Sequence, residues 1–212
     1  MHYRVDGTIV PERSLSPQHS VLSPMLTIPN ILTLLRLIAV PVFLYASLRG
    51  QLVLAFVLFV GAALTDMFDG MIARRFNQRS RLGAILDPAA DKTMLVCGYL
   101  FYTLYDNVPL VRIPGWLTFT VFIRDFLIAL FAYLLWTRLN VKRFPPSWAG
   151  KLSTVLQAAT LGMTIGVNAF MPNLLWLAEL LFRAALVVTL YSAWDYLRRG
   201  KRMLEEGFAA AA

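Results

Sequence analysis

Apolar residues in this chain come in six long runs, at about 29–48, 51–73, 84–105, 114–137, 149–170 and 173–197, separated by short polar breaks. Each run matches the roughly 20 residues that a helix needs to cross the hydrocarbon of a bilayer. The breaks carry turn chemistry. Arg49-Gly50 separates the first two runs, Asp106-Asn107-Val108-Pro109 follows the third, Pro145-Pro146 precedes the fifth and Met171-Pro172-Asn173 precedes the sixth. Glycine and proline are the strongest local punctuators of regular structure. Trp116, Trp136, Trp148, Trp176 and Trp194 lie near predicted run ends, where amphipathic rings favour the headgroup level. The pattern predicts an all-α integral membrane protein with six transmembrane helices, without an internal repeat, low-complexity linker or second domain.

The first two dozen residues are polar and broken by proline, and do not read as a secretory signal. They are expected to form a juxtamembrane segment over 1–25, partly helical and lying on the lipid surface. A helical domain over 26–199 and a cytoplasmic tail over 200–212 complete the expected organisation.

Composition agrees: 58% of the 212 residues are hydrophobic and 15% are charged, against about 25% charged in soluble domains. The single cysteine, Cys97, sits in an apolar run and has no partner for an intramolecular disulfide. A net charge of +8 raises the question of nucleic acid, and the placement of the basic residues answers it. Arg4 and Arg13, then Arg74, Arg75, Arg79 and Arg81, then Arg138, Lys142, Arg143 and Lys151, and finally Arg198, Arg199, Lys201 and Arg202 fall at one end of the predicted bundle. Only Arg49 and Arg112 mark the other end. Cytoplasmic loops collect Lys and Arg, so both termini and the 74–82 connection are expected in the cytoplasm, in a bacterial inner (plasma) membrane. The charge is then a topology signal and an attraction to anionic lipid, and no nucleic-acid partner is expected.

A third of the twelve acidic residues fall in one stretch, "TDMFDGMIARRFNQRSRLGAILDPAADK", Thr65 to Lys92. Continued as helix, Asp66, Asp69, Gly70, Ala73 and Arg74 share one face at i, i+3, i+4, i+7 and i+8. On the next helix Gly83, Asp87 and Asp91 share a face at i, i+4 and i+8. A tight turn would bring both stripes together at the cytoplasmic edge. Four ionised carboxylates cannot crowd together without compensation. Hard divalent cations such as Mg²⁺ or Mn²⁺ supply it, because they prefer carboxylate oxygens. Zinc has no support, since His2 and His19 both lie in the leader. Gly70, Ala73 and Gly83 leave room for a bulky ligand, and Arg74 suits a phosphate. Carboxylates, metal and arginine together suggest phosphoryl transfer. The plainer alternative, a structural cluster of aspartate–arginine pairs, has to account for four acids with two helical periodicities, and intramembrane ionisable groups are usually functional.

The spacing D-x2-D-G-x2-A-R-x8-G-x3-D-x3-D, from Asp66 to Asp91, resembles the signature of the CDP-alcohol phosphotransferases (CDP-alcohol phosphatidyltransferases), six-helix membrane enzymes of phospholipid synthesis. The resemblance implies a site for two divalent cations, Mg²⁺ or Mn²⁺, on Asp66, Asp69 and Asp87, with Asp91 at its edge and serving also as general base. It implies a CDP pocket of Asp66, Gly70, Ala73, Arg74 and Gly83. The activity it implies is transfer of the phosphatidyl group of CDP-diacylglycerol to an alcohol with release of CMP, by a homodimer among membrane lipids.

"TIPNILTLLRL" (Thr27–Leu37), "FIRDF" (Phe122–Phe126) and "GKLSTVLQ" (Gly150–Gln157) resemble phosphatidylglycerophosphate synthases and eukaryotic-type cardiolipin synthases. Both acceptors, glycerol 3-phosphate and phosphatidylglycerol, bear a phosphate, which makes Arg124, Lys151 and Arg36 the candidate acceptor ligands. Each has an ordinary alternative: a salt bridge with Asp125 for Arg124, and snorkelling to the headgroups for Lys151 and Arg36. The Arg124-Asp125 pair leans toward the cardiolipin synthases, because the phosphatidylglycerophosphate synthases usually carry Arg-Glu and a following Gly-Leu-Arg element. Prevalence among bacteria leans toward the phosphatidylglycerophosphate synthases, and both acceptors stay open. Serine, inositol phosphate or choline acceptors are further alternatives. From another class, a non-catalytic transporter or scaffold would favour broken helices and inverted repeats, and neither is visible.

Overall fold

A computed structural model describes residues 4–5, 8–9, 28–76, 83–139 and 147–209, with side chains over 34–65, 92–131, 147–201 and at 133, 134 and 137. Six α-helices account for most of the described residues: α1 Ile28–Leu48, α2 Leu52–Phe76, α3 Gly83–Leu104, α4 Gly115–Leu139, α5 Trp148–Ala169 and α6 Leu175–Ala209. Their lengths run from 21 to 35 residues, or about 30 Å and more at 1.5 Å per residue, comparable with a bilayer core.

Two features concern the segments outside the predicted helical domain. Residues Arg4–Val5 and Thr8–Ile9 pair as a short antiparallel ladder; a ladder satisfies backbone groups between segments, so these positions are not part of a juxtamembrane helix. The rest of that segment lies outside the described residues. Helix α6 also continues through Ala209, into the expected tail. Gly200 is buried there, with the Phe131 ring of α4 directly against it, so packing extends past the predicted boundary.

The bundle ends are tied by local chemistry. Gly50, at φ 70°, takes the left-handed conformation that closes α1, and Gln51 N–H donates back to the Ala46 carbonyl at 2.9 Å. Glycine adopts that conformation without a Cβ penalty, which allows the three-residue reversal into α2. On the same end, Asn168 near the end of α5 holds the α3–α4 connection. Its Oδ1 accepts from the Leu110 and Val111 backbone N–H groups at 2.8 and 3.1 Å, and its Nδ2 donates to the Val111 and Thr164 carbonyls at 2.8 and 2.7 Å. Asn168→Ala is expected to destabilise the protein by about 1–3 kcal/mol, the cost of part-buried groups left without partners. A melting temperature in detergent equal to the parent's would count against this role for the side chain.

Polar and apolar surfaces are distributed inside out. Leu34, Leu35, Ile38, Val42 and Tyr45 line an exposed apolar face of α1, while α5 buries Ser153, Gln157, Thr160, Thr164 and Asn168. These five recur every three or four residues, so they form one stripe facing the other helices. Ser153 pairs with Thr189 of α6 at 3.1 Å, and Tyr99 of α3 donates to the Gln157 carbonyl at 3.2 Å. Hydroxyl and amide groups between helices, with an apolar exterior, are the arrangement of helices packed in lipid. Phe43, Phe59, Tyr99, Tyr102, Leu161 and Ile165 fill the spaces around the stripe.

Among the described residues, the stretch long and apolar enough to cross a membrane by itself is Pro172–Lys201, of mean hydropathy 1.8. The apolar stretches found at Leu34–Leu48 and Leu52–Thr65 are shorter. Six helices are thus present, and length and apolarity single out one of them.

Candidate active site

Asp66, Asp69, Gly70, Ala73 and Arg74 fall in the second half of α2, and Gly83, Asp87 and Asp91 in the first turns of α3. The backbone is helical at all eight positions, as the spacing requires. Their side chains, and residues 77–82 between the helices, lie outside the described residues. The donor set is oxygen only, four carboxylates on two helices without histidine, and its chemistry fits Mg²⁺ or Mn²⁺.

A cavity of about 260 Å³ opens beside this stretch. Ala62 and Ala63 of α2, Met94 and Leu95 of α3, and Thr154, Val155 and Ala158 of α5 line it, with Phe59 and Arg36. Ala62 lies one helical turn before Asp66, and Leu95 one turn after Asp91, so the apolar wall continues directly into the acidic segments. Arg36 is 3% exposed. It lies against the cavity rather than on the lipid-facing side of α1.

Arg124 stands in a second cluster, built by four helices. Its guanidinium is buried: Nη1 donates to Asp125 Oδ1 at 2.7 Å, Nη2 donates to Ser192 Oγ on α6, and the Tyr196 ring centroid lies 5.8 Å from Cζ. Gly150 of α5 closes the fourth side. A Cβ built on Gly150 would stand 3.2 Å from Arg124 Nη2, from Ser147 Oγ and from the Tyr196 ring. The same Ser147 caps α5, accepting from the Gly150 N–H at 2.9 Å. The ordinary alternative for Arg124, a salt bridge with Asp125, is therefore part of the structure. Lys151, next to Gly150, is exposed, with Nζ 5.5 Å from the Trp148 ring.

The second oxygen of Asp125 accepts from Lys92, which directly follows Asp91 on α3. Sequence reasoning did not single out Lys92, Ser192 or Tyr196. A charged residue inside a predicted apolar run was the available signal for Lys92; the two α6 residues join the cluster only through helix packing.

The chain is similar to known proteins along most of its length. The sequence model of the CDP-alcohol phosphatidyltransferase family matches residues 26–196. A Mycobacterium tuberculosis protein provisionally named a phosphatidylglycerophosphate synthase is 34% identical over 182 residues, covering 82% of this chain and 81% of its own. The CDP-diacylglycerol--glycerol-3-phosphate 3-phosphatidyltransferase of Shigella flexneri is 35% identical over 178 residues, covering 80% of this chain and 92% of its own. A Mycobacterium bovis protein provisionally named a cardiolipin synthase is 37% identical over 148 residues, 67% of this chain and 63% of its own.

Proposed function

The chain belongs to the CDP-alcohol phosphatidyltransferase family, and from that premise we propose that it transfers the phosphatidyl group of CDP-diacylglycerol to glycerol 3-phosphate, releasing CMP. The observation that carries this reading is the apolar cavity whose α2 and α3 walls run one turn from Asp66 and Asp91. A lipid needs an apolar recess beside the polar reaction centre, and here the two adjoin. Glycerol 3-phosphate is preferred over phosphatidylglycerol because the two relatives named for its transfer align over four-fifths or more of this chain.

In this reading Asp66, Asp69 and Asp87 hold two divalent cations, with Asp91 at the edge of that site. Bound there, the cations supply positive charge to the pyrophosphate and to the departing CMP. Gly70, Ala73 and Gly83 admit the cytidine, and Arg74 meets a phosphate beside Asp66. Arg36, at the cavity, and Arg124 and Lys151, across the bundle, face the acceptor. Asp91 takes the proton of the acceptor hydroxyl as its oxygen bonds to the phosphorus on the lipid side of the pyrophosphate. The bond from that phosphorus to the bridging oxygen breaks, and CMP leaves with the electron pair. Holding alcohol and phosphorus in line supplies much of the rate, because it replaces an encounter by a positioned attack.

All six helices cross the membrane in this reading, as a helical domain over 26–199 with both termini and the aspartates on the cytoplasmic side. The protein works as a homodimer in a bacterial inner membrane. Two measurements test these statements. Purified protein with Mg²⁺ or Mn²⁺ should release CMP from CDP-diacylglycerol when glycerol 3-phosphate is added, and much more slowly with serine, inositol phosphate or phosphatidylglycerol. Absence of CMP release with every acceptor would exclude the transfer. A cysteine placed at 79 should resist an impermeant label applied to intact cells, while one at 107 should react; the reverse pattern would overturn the orientation.

A further inference from the structure

The cluster around Arg124 holds two cations and one carboxylate. Asp125 divides its oxygens between them, Oδ1 to the Arg124 guanidinium on α4 and Oδ2 to the Lys92 ammonium on α3. Among the described residues, this leaves one positive charge uncompensated in a cluster whose arginine side chain is only 7% exposed. Excess positive charge favours an incoming anion, most strongly on the side of the buried guanidinium, which is removed from water.

The two cations are held differently. Arg124 is held by hydrogen bonds to Asp125 and Ser192, with the Tyr196 ring and Gly150 packed beside it, so its position is set before any ligand arrives. Lys92 has a side chain 45% exposed. An ammonium has three donors, and Asp125 takes one of them. Lys92 can therefore meet a ligand from solvent without breaking the bridge. Its place in the chain, directly after Asp91, sets that ammonium on the helix that carries the proposed base.

We propose that Lys92 is a further ligand for the acceptor's phosphate, and that Asp125 is the positioning residue that holds Lys92 and Arg124 around one anion site. This deepens the glycerol 3-phosphate reading and rests on it. One carboxylate shared by α3 and α4 then links where the phosphate sits to where the hydroxyl is deprotonated. Asp125 acts through its two cations and touches no reacting atom.

The test is steady-state kinetics of Lys92→Met, Lys92→Arg and Asp125→Asn, with glycerol 3-phosphate and, separately, phosphatidylglycerol as acceptor. Lys92→Met should raise the KM for the phosphate-bearing acceptor about ten- to a hundredfold, as for a lost charged hydrogen bond, with the KM for CDP-diacylglycerol nearly unchanged. Lys92→Arg should recover most of the loss, and Asp125→Asn should raise the same KM by a smaller factor. An effect confined to one acceptor identifies whether the phosphate is that of the soluble monoester or of the lipid. Glycerol 3-phosphate alone should raise the melting temperature of the parent protein but not that of Lys92→Met, a readout independent of turnover. An unchanged acceptor KM in Lys92→Met would overturn the assignment. So would a parallel rise in both KM values with a lowered melting temperature, which marks a bridge that only supports the fold. Parent protein that releases no CMP with either acceptor would instead overturn the transferase reading beneath it.

Discussion

Asp91→Asn is expected to lower kcat by about 10²–10⁴-fold, the usual contribution of a positioned general base, while leaving much of the affinity for CDP-diacylglycerol. Asp66→Asn, Asp69→Asn and Asp87→Asn are expected to abolish CMP release by a different route. Each removes a carboxylate oxygen from a site that needs several for a hard cation, and each belongs to the helical segments flanking the cavity. Divalent concentration separates the two routes. Raising Mg²⁺ or Mn²⁺ well above the parent's requirement should restore part of the activity of a ligand variant, since weakened binding is overcome by mass action. It should restore none in Asp91→Asn, where the missing element is a proton acceptor. Full activity in any of the four variants would refute the role assigned to that residue, and equal rescue of all four would remove the distinction between ligand and base.

Arg124→Ala should raise the acceptor KM about ten- to a hundredfold, with little change in the KM for CDP-diacylglycerol. Two neighbours make the effect large. Asp125 would retain only Lys92, and Ser192, buried on α6, would lose the donor it accepts from. Arg124→Lys should recover only part, because an ammonium cannot reach Asp125 and Ser192 with the planar fork of a guanidinium. Lys151→Ala should move the same constant by a smaller factor, since that ammonium is exposed and screened by solvent. An acceptor KM equal to the parent's in both alanine variants would end the case for a phosphate clamp. A preference for an uncharged polyol would do the same, and the proposal for the aspartates would survive either result.

The sequence by itself determined the six helices and most of their ends. The run predicted at 149–170 is the helix Trp148–Ala169, and that at 114–137 is Gly115–Leu139. Apolar length and Gly/Pro punctuation are local properties, and helices form through local hydrogen bonds, so a one-dimensional reading captures them. Membership in the family was legible for a related reason: eight motif positions within 26 residues lie on two consecutive helices, where spacing alone sets the pattern. The outer limits of the bundle were less legible. Helix α6 runs on to Ala209, and within that extension Gly200 packs against Phe131, a contact between α4 and α6 that periodicity does not encode.

Only the tertiary structure decided the surroundings of the charged residues. A pairing of Arg124 with its chain neighbour Asp125 was readable in the sequence. The bond from Arg124 to Ser192 spans 68 residues, and that from Lys92 to Asp125 spans 33. Neither follows from any helical spacing, because each depends on which faces of α3, α4 and α6 meet. Arg36 shows the same limit. On the chain it is one cation in an apolar run, equally suited to headgroups or to a pocket, and the packing of α1 against α2 and α3 places it at the cavity. Where a charge rests in an apolar bundle depends on the burial and partners that helix packing supplies.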